Sequence, residues 1–132
     1  MRYFDYLNHL LQTDDTKIAY LIAMIAVAMI MDYFTGVYAA WSSHDIDFRS
    51  KEGINGIVRK LASLLLLVFC VPISVLLPIG TGVAGLYVLY IGYLFAECTS
   101  ILENLKKLGV NIGIFEVFLG KLKKDEVKEE DK

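Results

Sequence analysis

The sequence contains few of the residues from which catalytic and metal-binding sites are built. Its two histidines, His9 and His44, stand alone, and no spacing of histidine, cysteine and carboxylate residues matches a metal site. It has neither a glycine-rich phosphate loop nor a nucleophile motif. The two cysteines, Cys70 and Cys98, lie in apolar stretches, where a free thiol behaves as a small hydrophobic side chain. We therefore expect no enzyme, no metal and no cofactor.

Charge is missing from two long stretches of the chain. Residues 18–31 and 33–43 are uncharged and are separated only by Asp32, and residues 61–96 are uncharged throughout. Apolar residues make up 56% of the sequence, and the mean hydropathy is +0.53. This composition is typical of a small multi-span membrane protein and unlike that of a soluble domain.

The lengths of these stretches predict three crossings of a bilayer. A helix needs about 20 apolar residues to cross the hydrocarbon core, so residues 61–96 are too long for one helix and are divided by Pro78 and two nearby glycines. We predict an all-α integral membrane protein with membrane-spanning helices at about 17–41, 57–77 and 83–102. These helices form a transmembrane domain at 17–104.

Both ends of the chain are predicted to be amphipathic segments outside the hydrocarbon core. Residues 1–16 have apolar and aromatic side chains at helical spacing, which fits a helix in the membrane interface. Residues 105–132 are predicted to form a cytoplasmic amphipathic helix and a charged tail.

The first predicted span carries an acidic residue on a face of small residues. Ala28, Asp32, Gly36 and Ala40 recur every four residues and therefore share one side of a helix. Small residues allow another helix to approach closely, whereas a carboxyl group inside a membrane costs roughly 2.5–3.5 kcal/mol. Two interpretations stay open: Asp32 is a satisfied acid in a packed bundle, or it lines or gates a polar path.

The third predicted span carries a polar stripe. Its members are three or four residues apart and share one face: Tyr90, Tyr93, Glu97, Ser100 and Asn104. Gly92 and Ala96 form a small-residue surface beside this stripe. The stripe is either a hydrogen-bonding face within one bundle, or an oligomer face that lines a wettable lumen.

The distribution of basic residues predicts the orientation. With three spans, eleven of the 13 Lys and Arg residues fall on the side of the first loop and the C-terminus, leaving only Arg2 and Lys17 on the other. The positive-inside rule assigns the basic side to the cytoplasm, so the N-terminus faces outside.

This topology brings the unusual polar residues into the same half of the membrane. Asp32 and Glu97 lie in the cytoplasmic halves of the first and third spans, and Arg59 and Lys60 begin the second. Because pairing lowers the cost of a charge in the membrane, we predict a cluster of these residues near the inner leaflet. Its members are Asp32, Arg59, Lys60, Glu97, Ser100 and Asn104.

Three sequence motifs resemble a known family. DYFTG at 32–36, GINGIVRK at 53–60 and ECTSILEN at 97–104, followed by Gly109, resemble the small phage holins grouped with clostridial toxin-secretion holins. The resemblance covers roughly 32–122. Two features depart from it: Cys70-Val71-Pro72 stands where that family has an acid in the second helix, and no proline follows Gly109.

The resemblance implies a lysis protein. A holin oligomerises in the bacterial cytoplasmic membrane and forms a timed lesion, which releases or activates a cell-wall hydrolase. Its partners would be the lipid bilayer and further copies of itself, with the endolysin acting downstream without necessarily binding, and no nucleic acid. An alternative function is a small channel or transporter subunit that uses Asp32 and Glu97 as an ion or proton site. A third is a membrane adaptor that recruits a partner through 105–132.

Overall fold

The computed structural model describes residues 2–42, 50–78 and 80–130 and is helical along most of their length. Within these residues there are five helices: α1 (Arg2–Leu10), α2 (Asp14–Ser42), α3 (Ser50–Ser74), α4 (Thr81–Lys107) and α5 (Gly113–Glu130). Three of them, α2, α4 and the Gly53–Ser74 part of α3, are long and apolar enough to cross a membrane. The predicted all-α fold with three membrane-spanning helices is confirmed.

The first spanning helix begins earlier than predicted because the chain supplies a good start signal. The Thr16 backbone N–H donates to the hydroxyl of Thr13 at 3.3 Å, and the two threonine hydroxyls are 2.6 Å apart. Asp14 and Asp15 occupy the first turn, where a negative charge is favourable beside the helix dipole. The helix therefore starts at Asp14 rather than at 17.

The second spanning helix also begins early and ends early. It continues through Gly53, which is buried, and Gly56, where an added Cβ would lie 3.9 Å from the ring of Tyr33. Both glycines are therefore helical, and Gly56 lies against Tyr33 of α2. The helix ends at Ser74, short of the predicted 77: the Leu76 and Leu77 N–H groups bond three residues back, to the Ile73 and Ser74 carbonyls. Pro78 has no N–H with which to continue the helix.

A tight turn connects α3 to α4. Gly80 has a left-handed backbone with φ of +87°, and α4 begins directly after it. A Cβ atom on Gly82 would collide with the carbonyl oxygen of Ser74, so only glycine permits this approach. The last spanning helix then runs to Lys107, five residues beyond the predicted end at 102.

The core of the bundle lies mainly between α2 and α4, which run parallel. The Asp14 carboxylate at the start of α2 accepts a hydrogen bond of 2.6 Å from the Tyr87 hydroxyl near the start of α4. The apolar core consists of Ile18, Ile25, Met29, Leu67, Leu86 and Tyr90. Only Leu67 in this set comes from α3, so α3 is the least embedded of the three spanning helices among the described residues.

The outward faces of the spanning helices are apolar. Leu65, Leu66 and Phe69 of α3 are 70%, 63% and 61% exposed, respectively. Since the described part of the chain leaves these side chains mostly uncovered, lipid is the environment that fits them. At the N-terminus, α1 exposes Tyr3, Phe4 and Tyr6, as expected for a short helix in the membrane interface.

Candidate functional site

Lys60 is the centre of a polar network that joins the three spanning helices. Its Nζ atom on α3 lies 2.7 Å from Oδ2 of Asp32 on α2 and 3.0 Å from Oε2 of Glu97 on α4. The Lys60 side chain is 24% exposed, whereas those of Asp32 and Glu97 are 11% and 12% exposed. One ammonium group therefore bridges two carboxylates that are largely shielded from the surroundings.

Asn104 holds the other side of Asp32. Its amide nitrogen donates to Oδ1 of Asp32 at 2.8 Å, and it lies 3.1 Å from the Asp32 carbonyl oxygen and 3.0 Å from the Thr35 hydroxyl. The hydroxyl of Ser100 lies beside the same carboxylate. Both oxygens of Asp32 thus have polar partners, which offsets the cost of placing a carboxylate in this region.

Gly36 makes room for this arrangement. An added Cβ atom at Gly36 would lie 3.4 Å from the amide nitrogen of Asn104, at the near limit of ordinary van der Waals contact. The absence of a side chain therefore allows the Asn104 amide to reach the backbone of α2. Thr35 was not among the predicted site residues, although its position three residues after Asp32 places it on the same side of the helix.

The basic member of the network is Lys60, and the prediction that Arg59 also belongs to it needs correction. Arg59 is exposed, whereas Lys60 is half-buried. The reason is the helix period: consecutive residues are rotated by about 100°. Lys60 shares a face with Leu64 and Leu67, which pack on the core, while Arg59 is turned away from that face.

The predicted small-residue surfaces have different environments. Ala28 is buried, and Gly36 and Ala40 are half-buried, so the α2 surface is largely used inside the chain. Gly92 and Ala96 on α4 are exposed, and no atom of the described residues lies within 4 Å of a Cβ atom placed on Gly92. The α4 surface is therefore available to a neighbouring molecule.

A second polar contact links α3 to α4 deeper in the bundle. The hydroxyl of Tyr90, which is fully buried, donates to the carbonyl oxygen of Leu67. Pro72 deprives the neighbouring Val68 carbonyl of its helical partner, and such a site loosens the hydrogen bonds of the helix nearby. The Tyr90 hydroxyl bonds to the helix in this weakened stretch.

The network has the chemistry of charge pairing rather than of catalysis or metal binding. Two carboxylates share one ammonium group, so the three side chains carry a net charge of −1 when all are ionised. Within the part of the chain that the structure describes, no group of three or more His, Cys, Asp or Glu residues is placed to hold a metal ion. The arrangement suits the joining of helices, or the movement of a charge or proton between them.

Three spanning helices joined by a shielded ionic network define a small multi-pass membrane protein. Comparison with known proteins is more specific. The profile of the Bacteriophage holin family matches residues 10–124, and the chain belongs to this family. Family membership implies a non-enzymatic membrane protein with a holin role in phage lysis, located as a multi-pass protein in the cytoplasmic membrane.

Individual relatives come from phages of Bacillus. The chain is 29% identical over 106 residues to the antiholin of Bacillus phage phi29, covering 80% of this chain and 79% of the relative. It is 31% identical over 101 residues to the antiholin of Bacillus phage PZA, covering 76% of each. It is 33% identical over 96 residues to the probable holin of Bacillus phage phi105, covering 73% of this chain and 67% of the relative. No solved structure matches the chain.

Proposed function

We propose that this protein is a holin that accumulates in the host membrane, assembles with copies of itself and opens a timed lesion. The lesion releases or activates a cell-wall hydrolase, which acts downstream without necessarily binding the holin, and the holin itself catalyses no reaction. One observation carries this proposal: a single lysine on the least embedded helix bridges two acids on the other two. Such a network stabilises one packing of the three helices, and its contacts can be replaced by other polar contacts in a second packing.

Polar contacts attach α3 to the other two spanning helices. Lipid tails are as apolar as leucine, so the hydrophobic effect does not hold helices together inside a bilayer. Only Leu67 of α3 belongs to the buried core, and the polar contacts of Lys60 and the Leu67 carbonyl supply the specific attachment. We infer that α3 moves away from α2 and α4 at a cost set mainly by these contacts.

Movement of α3 would uncover polar groups on α2 and α4. The carboxylates of Asp32 and Glu97 would lose Lys60 and would need water or polar groups of other copies as partners. Several copies arranged with these faces inward would line a wettable opening. The closed and open packings would be two states that differ by a few kcal/mol, and assembly would shift the population between them.

The exposed surface of α4 supports the self-association. Gly92 and Ala96 leave the backbone of α4 accessible, and small residues of this kind allow helices of separate molecules to approach closely. We infer that copies meet through this surface while α2 and α4 stay paired within each chain.

The orientation and the division of the chain are part of the same proposal. The excess of Lys and Arg on one side supports an N-terminus outside and a C-terminus in the cytoplasm. The chain would then consist of an interfacial segment at 1–16, the membrane domain at 17–104 and a cytoplasmic part at 105–132. In this orientation the network of Lys60 lies towards the inner leaflet.

Expression in a bacterium tests the proposal. The chain is expressed from a tight promoter with and without a cytosolic wall hydrolase, and membrane potential and culture density are recorded together. We expect a delay, then abrupt depolarisation, with lysis only when the hydrolase is present. Steady growth at high expression would contradict a lysis function, and depolarisation without hydrolase release would indicate the small pores of a channel.

The acids of the network are tested in the same assay. Asp32→Asn and Glu97→Gln each remove a charge from the bridge to Lys60, and we expect both to change the time of depolarisation while the amount of protein in the membrane fraction stays constant. Glu103→Gln is the matched control, because Glu103 is an exposed acid on the same helix as Glu97. Equal timing in all three variants would remove the network from the mechanism.

A second candidate function is that of an antiholin, an inhibitor of a holin. It is favoured by the antiholins of phages phi29 and PZA, which are similar to this chain over about three quarters of its length. The assay separates the two functions. A holin depolarises cells when expressed alone, whereas an antiholin leaves them growing and delays lysis when it is expressed together with a holin.

A further inference from the structure

We propose that α5 lies along the surface of the membrane that α4 has just crossed, with its apolar face among the lipid headgroups and its lysines on anionic phosphates. The partner is thus an anionic lipid surface. This inference does not rest on the proposed function, because it requires only that α4 spans the membrane and that α5 follows it.

The turn after α4 brings α5 to the membrane surface. Gly109 has a left-handed backbone with φ of +86°, the Val110 N–H bonds to the Leu105 carbonyl at 3.0 Å, and the Gly109 N–H bonds to the Lys106 carbonyl at 3.0 Å. This pair of bonds is the Schellman motif, which ends a helix and redirects the chain. Residues 108–112 then extend at most about 18 Å, so α5 begins within reach of the headgroups.

The first half of α5 carries an exposed apolar face. Ile114, Phe118 and Leu122 are four residues apart and are 82%, 59% and 41% exposed, respectively. Phe115 and Val117 flank them and are 53% and 62% exposed. An apolar face of this kind beside a membrane-spanning helix is the pattern of a helix that lies in the interface plane.

The charges of α5 select the kind of membrane surface. Lys121, Lys123 and Lys124 are exposed at the C-terminal end of the apolar half of α5. Lys106 and Lys107, in the last turn of α4, are exposed before its N-terminal end. Each lysine near an anionic surface favours the bound state by about fivefold. From Asp125 onward the sequence is mainly acidic, so the contact is expected to end near Lys124.

Tryptophan fluorescence of the full chain in vesicles tests the inference. The native tryptophan is replaced by Trp41→Phe, and a single reporter is introduced as Phe118→Trp on the apolar face. Glu116→Trp on the opposite face is the matched control, because two residues along a helix are about 200° apart. The vesicles contain phosphatidylglycerol and phosphatidylethanolamine, or phosphatidylcholine alone, with quenching by brominated lipid or by aqueous acrylamide.

In anionic vesicles, we expect the reporter at 118 to be quenched by brominated lipid and protected from acrylamide, and the reporter at 116 to show the reverse. Replacing Lys121, Lys123 and Lys124 by Gln should lower the ratio of bound to free α5 by roughly a hundredfold in anionic vesicles and change it little in phosphatidylcholine. Equal acrylamide access at both positions would overturn the inference. Protection at 118 from both quenchers would also overturn it, by indicating that protein covers the face.

Discussion

Removal of the Lys60 ammonium group is the sharpest perturbation that the structure offers. Lys60→Met keeps most of the apolar stem but removes two charge-assisted contacts, at 2.7 Å and 3.0 Å, and leaves two carboxylates facing each other. Interhelical hydrogen bonds in membranes reach about 1.7 kcal/mol, so two at this upper value correspond to about 3 kcal/mol. Breaking a buried ion pair costs a similar amount, about 3–5 kcal/mol. We expect Lys60→Met to lower the free energy of unfolding by about 3 kcal/mol.

Arg59→Met is the control for this experiment, because it removes the same charge from the neighbouring, exposed position on α3. It should change the free energy of unfolding by less than about 0.5 kcal/mol. Both are measured by titrating bicelle-reconstituted protein with dodecyl sulfate. Combining Lys60→Met with Asp32→Asn and Glu97→Gln should recover part of the loss, because it removes the unpaired carboxylates. Equal stability of the two single variants would refute the view that Lys60 attaches α3.

Two further predictions concern the contacts of α3 with α4. Gly82→Ala should cost about 1–3 kcal/mol in the same titration, because its Cβ meets the Ser74 carbonyl, whereas Gly85→Ala, with no described atom within 4 Å, should cost nothing. A similar loss in both would show that the effect does not come from the close approach to Ser74, since alanine favours the helix over glycine at either position. Tyr90→Phe should cost about 1 kcal/mol, because it removes the donor to the Leu67 carbonyl, and the exposed Tyr38→Phe is its control. An unchanged unfolding free energy in Tyr90→Phe would contradict that assignment.

The number and type of the helices could be predicted from the sequence because bilayer crossing imposes a simple length requirement. The helix boundaries were harder to predict. The two glycines at 53 and 56 lie inside α3, where Gly56 faces Tyr33 of α2, although the same residues often mark a turn. The start of α2 at Asp14 depends on the Thr13 and Thr16 side chains. Residues of this capping type are recognisable in the sequence, but they gave the first residue of the helix only to within a few positions.

The members of the candidate site could be predicted only in part. Asp32, Glu97 and Asn104 are conspicuous because polar residues are rare in such stretches, and the helical spacing of Glu97 and Asn104 indicated that these two share a face. The sequence did not decide between Arg59 and Lys60, because both are basic and both begin the second span. That choice depends on the rotation of α3 about its axis, which is fixed by contacts with the other helices.

The difficulty over the rotation of α3 has a physical cause that also bears on function. In a soluble protein, the apolar face of a helix shows which side is buried, but the lipid-facing residues Leu65 and Phe69 are as apolar as the core residue Leu67. The rotation of α3 is therefore set by polar contacts, chiefly those of Lys60. A helix that is oriented by a few polar contacts, with apolar surface on all sides, can leave its partners without exposing apolar surface to water. The apolar surface around α3 prevented the sequence from indicating the rotation of this helix. The same surface makes α3 suited to change its packing within the membrane.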